Sequence, residues 1–218
     1  RQKRFTPMNS LILTFDLEEW YMAENVKPFL KGNDYKNHSS VDSVIPSLLD
    51  KLREKKIQAT FFIVTDLIKS NPSVIERILK SGHEIASHTR SHCLLNNLSR
   101  SQLEDEVLGS SEDIREFCGY YPKGFRSPCF STHTVLDEVL KGSNYVYTSN
   151  SIQAAFHDRY SGQTKSSFFD IPIPTFGIGK IKFPRTGGGW FRLYPYSMLR
   201  LLSNFEYTML YLHPWDFD

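Results

Sequence analysis

Short apolar runs alternate along this chain with stretches whose apolar residues recur every three or four positions, the pattern of strands linked by crossover helices. Residues 11–15, bounded by Asn9 and Ser10, predict a first strand. Val44, Ile45, Leu48, Leu49 and Leu52 then line one face of a helix from Val41 to near Lys55, which tolerates Pro46 only in its first turn. Residues 59–64 carry no charge and are rich in β-formers, so they predict a strand buried on both faces. A helix with Asn71 as N-cap and Pro72 at its first position turns Val74, Ile75, Ile78 and Leu79 inward and stops at Gly82. Residues 83–86 predict the next strand. Ser99 with Gln102 forms a capping box for a helix that runs to about Cys118 and closes at Gly119. Further strands are predicted over 124–126, 145–148, 169–173 and 208–212, helices over 134–140 and 196–202, and a loop over 149–167.

Strands alternating with helices imply an α/β fold with a parallel sheet, either open and doubly wound or rolled into a barrel. No Gly-x-Gly-x-x-Gly follows the first strand, which counts against nucleotide binding there. Polar groups instead follow five different strands: Asp16, His88 to His92, Arg126, Ser149 with Asn150, and His213. A site assembled from several strand ends favours a closed or partly closed barrel. With 218 residues, the chain predicts a single domain around one core.

Composition mainly narrows the partners. A net charge of +2, with basic residues scattered apart from Arg1 to Arg4, gives no field that would recruit nucleic acid. No apolar run approaches membrane-spanning length. Three cysteines without a Cys-x-x-Cys pair suggest neither a disulfide framework nor a thiolate metal site, and favour a reducing, cytoplasmic setting. The first methionine is Met8, which leaves an upstream secretion signal open. The aromatic fraction of 14% suits sugar faces as well as core packing.

The chemistry concentrates in few places. His88-Thr89-Arg90-Ser91-His92 sets two imidazoles four residues apart directly after a strand, close enough to share one ion. Asp16-Leu17-Glu18-Glu19 ends the first strand, where Asp16 and Glu18 point to one side and Leu17 and Glu19 to the other. One carboxylate can ligate a metal while its neighbour acts as base. His213 follows an apolar strand and has the near-neutral pKa suited to protonating a departing amine. Arg126 beside Asp16 would keep that carboxylate ionised.

Five segments, Thr14-Phe15-Asp16, Ala59-Thr60-Phe61-Phe62, the run Gly82 to His92, Phe125-Arg126-Ser127-Pro128 and Leu210-Tyr211-Leu212-His213, together resemble the polysaccharide deacetylase (NodB-homology, carbohydrate esterase) family. Gly187 to Arg192 and His213 to Phe217 are similar to its bacterial branch associated with surface polysaccharides, in which the chain usually continues further and a C-terminal truncation is left open. The resemblance implies a distorted (β/α)7-type barrel and a metal-dependent hydrolase that removes acetyl from an N-acetylated sugar of a polysaccharide or its precursor. It also implies roles: Asp16 as base, His88 and His92 as ligands of one divalent metal (Zn²⁺ being the expected ion), Arg126 as the partner of the base, His213 as acid, and the backbone N–H of Cys129 as oxyanion donor. Trp190, Phe191, Arg192, Leu210 and Trp215 are the expected substrate contacts.

Two positions depart from the family. The second of two consecutive acids, usually a metal ligand, is here Leu17. Glu18 is the preferred substitute because it shares a face with Asp16, with Glu19 in reserve. The fourth motif reads Tyr147-Thr148-Ser149-Asn150 in place of its usual acidic or aromatic residue. An O-deacetylase and an inactive carbohydrate-binding barrel remain the alternatives.

Overall fold

The computed structural model describes residues 10–152, 168–178, 181–202 and 207–217. The first apolar run extends beyond its hydrophobic part, so that strand β1 spans Ser10–Leu17 and carries Asp16 within it. After three 3₁₀ turns come helix α1 (Ser40–Lys55), strand β2 (Thr60–Ile63), the short helix α2 (Leu67–Ser70), helix α3 (Pro72–Lys80) and strand β3 (Glu84–Ser87). Helix α4 (Arg100–Glu104) passes through a π-helical turn, Asp105–Gly109, into α5 (Ser110–Cys118) without a break. Strand β4 (Gly124–Phe125), helix α6 (Leu136–Lys141) and strand β5 (Tyr147–Thr148) complete the first two thirds. Beyond them lie a hairpin of β6 (Thr175–Ile178) and β7 (Ile181–Pro184), helices α7 (Gly188–Leu193) and α8 (Tyr196–Leu202), and strand β8 (Tyr207–Leu212).

Strands β5-β4-β3-β2-β1-β8 form one parallel sheet, in that order, the wall of a distorted α/β barrel. Six strands belong to it among the described residues, against the seven expected. The stretch 169–173 contributes only two parallel bridges, Thr148 to Asp170 and Ile152 to Ile173, so it borders the β5 edge without becoming a full strand.

Alternation along the strands divides the interior. Leu17, Phe61, Ile63 and Ile85 face outward and bury against Val41, Ile45 and Leu49 of α1 and Val74, Ile75 and Ile78 of α3. A second cluster, including Leu103, Val107, Phe125, Val139 and Tyr145, packs the α4–α5 rod and α6 against β4. Burying these side chains stabilises the sheet by roughly 1.5–3 kcal/mol per large aliphatic residue, and it fixes which alternate residues face the opposite side.

Local signals held at most ends. The Ser99–Gln102 capping box is present, and Gly119 closes α5 in the left-handed region. Two expectations are corrected. Pro46 lies in the second turn of α1, which starts at Ser40. Its missing N–H leaves the carbonyl of Asp42 without a helical donor, but Asp42 is exposed and water can serve. Asn71 precedes α3 without capping it, because its Oδ1 accepts from Ser70 Oγ at 2.6 Å. The β6–β7 hairpin and α7 occupy a stretch to which the pattern assigned no element, and the greater part of the expected 149–167 loop lies outside the described residues.

Candidate active site

The functional side chains gather at the C-terminal ends of the parallel strands. The alternation of β1 sends Leu17 into the core, where it is 0% exposed, and turns Asp16 and Glu18 together into the cleft. Glu19 faces away. Its carboxylate accepts from Ser39 Oγ at 2.5 Å, from the Ser40 N–H at 2.9 Å and from Ser40 Oγ at 3.0 Å, which secures the N-terminus of α1. The reserve ligand Glu19 is therefore engaged elsewhere and does not reach the imidazoles.

The loop after β3 folds back on itself. Thr89 (φ 68°) and His92 (φ 60°) both occupy the left-handed region, and the two imidazoles end with ring centroids 5.2 Å apart. His88 Nδ1 lies 2.7 Å from the carbonyl of Arg126, which can only accept, so Nδ1 carries the proton and Nε2 presents its lone pair. Burial is the main cause that lowers the His88 pKa, to about 4, and keeps the ring neutral. Glu18 Oε2 contacts His92 Nε2. Burial pushes the Glu18 carboxyl up, but His92, His213 and His88 outweigh it and hold its pKa below the ordinary value.

One donor atom each from Glu18, His88 and His92 lies within 4.8 Å of the others. All three residues are buried, and His92 Nδ1 lacks a hydrogen-bond partner. Two imidazoles and a carboxylate converging in one buried cluster fit a divalent cation.

Asp16 stands beside this set. Arg126, 0% exposed, donates from Nη1 to Asp16 Oδ1 at 2.5 Å and to Thr14 Oγ1 at 3.1 Å. It also donates from Nη2 to Ser149 Oγ at 2.9 Å and from Nε to the Ser149 carbonyl at 3.3 Å, and its guanidinium lies 4.0 Å from the Phe62 ring centroid. Ser149 of the altered fourth motif thus holds the arginine. Burial raises the pKa of Asp16, but Arg126, with His88 and His213 behind it, brings it below the ordinary value.

His213 Nε2 is 3.6 Å from Glu18 Oε1 and 4.0 Å from Asp16 Oδ2. Its other nitrogen lies 3.2 Å from Asp216 Oδ2, which also accepts the His213 backbone N–H at 2.9 Å. Asp216 is absent from the sequence reading. The available signal was an acid at the third position of a turn opened by Pro214, where it reaches back to the residue before the turn. Burial disfavours the charged His213 ring, but the Asp216 hydrogen bond and the charges of Glu18, Asp16 and Asp216 raise its pKa above the ordinary value.

Asp16, Glu18, His88, His92 and His213 line a cleft of about 400 Å³. Trp190, Arg192 and Trp215 line it. Trp215 stacks on His213 with centroids 4.5 Å apart, while Trp190 packs against Phe183 and Tyr194. Arg192 Nε approaches Asp216 Oδ1 at 3.5 Å. Leu210 is corrected: it lies on the opposite face of β8, and Tyr211 lines the cleft in its place. Phe191 belongs to α7, with its side chain outside the described residues. Gly187 (φ 101°) admits the Tyr211 ring where a Cβ would stand 2.2 Å from it. Cys129 sits at φ 50° in the Pro128–Phe130 turn at the cleft wall. Burial pushes its thiol up to about 12, so the sulfur stays protonated.

A family model described as Polysaccharide deacetylase matches residues 3–148, and a second, described as Domain of unknown function (DUF3473), matches residues 144–218. A peptidoglycan-N-acetylglucosamine deacetylase of Bacillus cereus is 41% identical over 100 residues, covering 46% of this chain and 46% of that protein. A chitooligosaccharide deacetylase of a Bradyrhizobium species is 36% identical over 84 residues, covering 38% of each. The matched segments span less than half the length of these curated relatives. A family 4 carbohydrate esterase from Streptomyces lividans, solved with acetate, shares the fold with a TM-score of 0.59 at 17% identity, over 94% of this chain and 79% of that one.

Proposed function

Because the chain belongs to the polysaccharide deacetylase family, we propose that it hydrolyses the N-acetyl group of an acetylated sugar, with one divalent metal, Zn²⁺, held by His88, His92 and Glu18. The observation that carries this reading is the convergence of Glu18 with the two imidazoles beside the Arg126-bound Asp16. Glu18 supplies the carboxylate that the Leu17 substitution removes from the first motif, which favours an active site over an inactive barrel. Bound there, the ion would supply Lewis acidity and lower the pKa of water from 15.7 to about 7.

The chain's own groups provide the proton transfers. Asp16, kept ionised by Arg126, accepts a proton from the water that attacks the acetyl carbon. The N–H of Cys129 faces the developing oxyanion, a contact typically worth about 3–4 kcal/mol. As the C–N bond breaks, His213 delivers the proton from Nε2 to the departing nitrogen, and acetate and a free amino sugar result. Trp190 and Trp215 give the sugar an apolar wall, with Arg192 at its rim.

Acetate release from N-acetylated oligosaccharides tests the proposal. Release is expected to fall to background after dialysis against a strong chelator and to return on adding Zn²⁺. Turnover that survives chelation, or release from O-acetylated sugars alone, contradicts it.

Asp216→Asn tests the acid. His213 works in its protonated form, and Asp216 helps to raise its pKa. Without that charge the ring loses its proton at lower pH, so the alkaline limb of the kcat profile should shift downward, with a rate loss of up to about 100-fold. A pH–rate profile with an unmoved alkaline limb would remove His213 from this role.

A further inference from the structure

The two imidazoles converge only because the segment between them bends twice through left-handed backbone, at Thr89 and His92, a region that residues other than glycine seldom adopt. Something must hold those bends. From one side, the N–H groups of Thr65 and Asp66 donate to the carbonyls of Thr89 and Arg90 at 3.1 and 3.0 Å. From the other side the Thr89 N–H donates to Ser87 Oγ at 3.2 Å, and the Arg90 and Ser91 amides meet one buried side chain, Glu106, 8% exposed. Its Oε2 accepts the N–H groups of Arg90 and Ser91, both at 2.9 Å, and its Oε1 accepts the Ser91 hydroxyl.

Glu106 stands in the π-helical turn Asp105–Gly109, a local widening of the kind often found at functional sites. The same turn seats Arg90. At Gly109 a Cβ would fall 2.5 Å from the Arg90 guanidinium, which instead reaches Asp113 Oδ2 at 2.8 Å and Asp105 Oδ1 at 2.5 Å. Helix and loop are thus joined at two points, and Glu106 is the one that grips the backbone between His88 and His92.

We propose that Glu106 is a positioning residue of the metal centre, setting the loop backbone so that His88 and His92 address one ion. The inference rests on the metal reading above. Glu106 touches neither ion nor substrate; it acts through the amides of Arg90 and Ser91. Its effect therefore lies in metal affinity and coordination geometry, beyond any contribution to folding.

The test is zinc affinity, measured by competition with a chromophoric chelator, together with the absorption bands of the Co²⁺-substituted protein and the melting temperature of the metal-free protein. Glu106→Ala is expected to weaken zinc binding by about 10–100-fold and to alter the Co²⁺ bands. Glu106→Gln, whose carbonyl oxygen can accept both amides and whose NH₂ can donate to Ser91 Oγ, should recover most of the affinity. Val139→Ala, which trims the core cluster around α4–α6, should lower the melting temperature and leave zinc binding unchanged. If Glu106→Ala does not fold, Glu106→Asp withdraws the carboxylate by one methylene and is expected to weaken binding in the same direction. Wild type that binds zinc while the folded variant binds it equally tightly overturns the proposal alone. Wild type that binds no zinc overturns the metal reading and this proposal with it.

Discussion

Glu18→Gln is expected to lose the ion and with it nearly all turnover, while Glu19→Gln keeps both and loses stability instead. The two acids are adjacent, yet the pleat of β1 gives them opposite surroundings. Glu18 shares the cleft with His88 and His92, whereas Glu19 receives three hydrogen bonds from Ser39 and Ser40 at the start of α1. Removing the only carboxylate of the proposed donor set should cost at least about 100-fold in metal affinity, more than a typical outer-shell change. Removing the Glu19 charge weakens a cap and should cost about 1–2 kcal/mol of folding stability. Metal content after dialysis, acetate release and urea denaturation on both variants separate the two effects. Retention of stoichiometric metal by Glu18→Gln would transfer the ligand role to another group.

The second large effect falls on Arg126. Its guanidinium is fully buried and pairs with an almost fully buried carboxylate, so Arg126→Leu leaves Asp16 as an uncompensated charge. Breaking such a pair from one side typically costs about 3–5 kcal/mol, a large fraction of the stability of an ordinary domain. The sign of the pH dependence follows from Asp16. Burial raises its pKa, Arg126 and the two histidines lower it by more, and the net native value lies below the ordinary 3.8. The stabilisation is therefore complete above the ordinary value and disappears as pH falls through the native one. In Arg126→Leu, burial acts with its main opponent removed, so Asp16 should hold its proton to higher pH. The double variant Asp16→Leu/Arg126→Leu should recover part of the lost stability and remain inactive. Urea denaturation of the three variants between pH 3 and pH 7 checks both statements, and a single variant as stable as wild type contradicts them.

Much of the site was legible because it obeys two periods. The two-residue period of a strand separates Asp16 and Glu18 from Leu17 and Glu19, and that parity survives in the fold. The helical period located α1 and α3, and with the Ser99–Gln102 box and Gly119 it located the α4–α5 rod, which together set the loops at the strand ends. The same parity, counted back from the extended His213, puts Tyr211 and Met209 on the cleft side, and Leu210 stands one residue out of step with it. What stayed hidden depends on contacts distant in sequence or on turn geometry. Glu106 lies 14 residues past His92 on an amphipathic helix, where a buried acid reads as an ordinary polar position until the π turn directs it at the loop. Asp216 acts through a turn of three residues. The β6–β7 hairpin escaped because its strands are only four residues long, one holding Gly177 and the other ending on Pro184.

Anomalous diffraction from crystals grown with zinc, recorded on both sides of the zinc absorption edge, locates the ion and identifies its ligands. One peak is predicted, lying about 2.0–2.2 Å from a carboxylate oxygen of Glu18 and from one ring nitrogen each of His88 and His92, with Asp16 still paired to Arg126. A zinc peak bound by Glu19, or by neither histidine, would contradict the account.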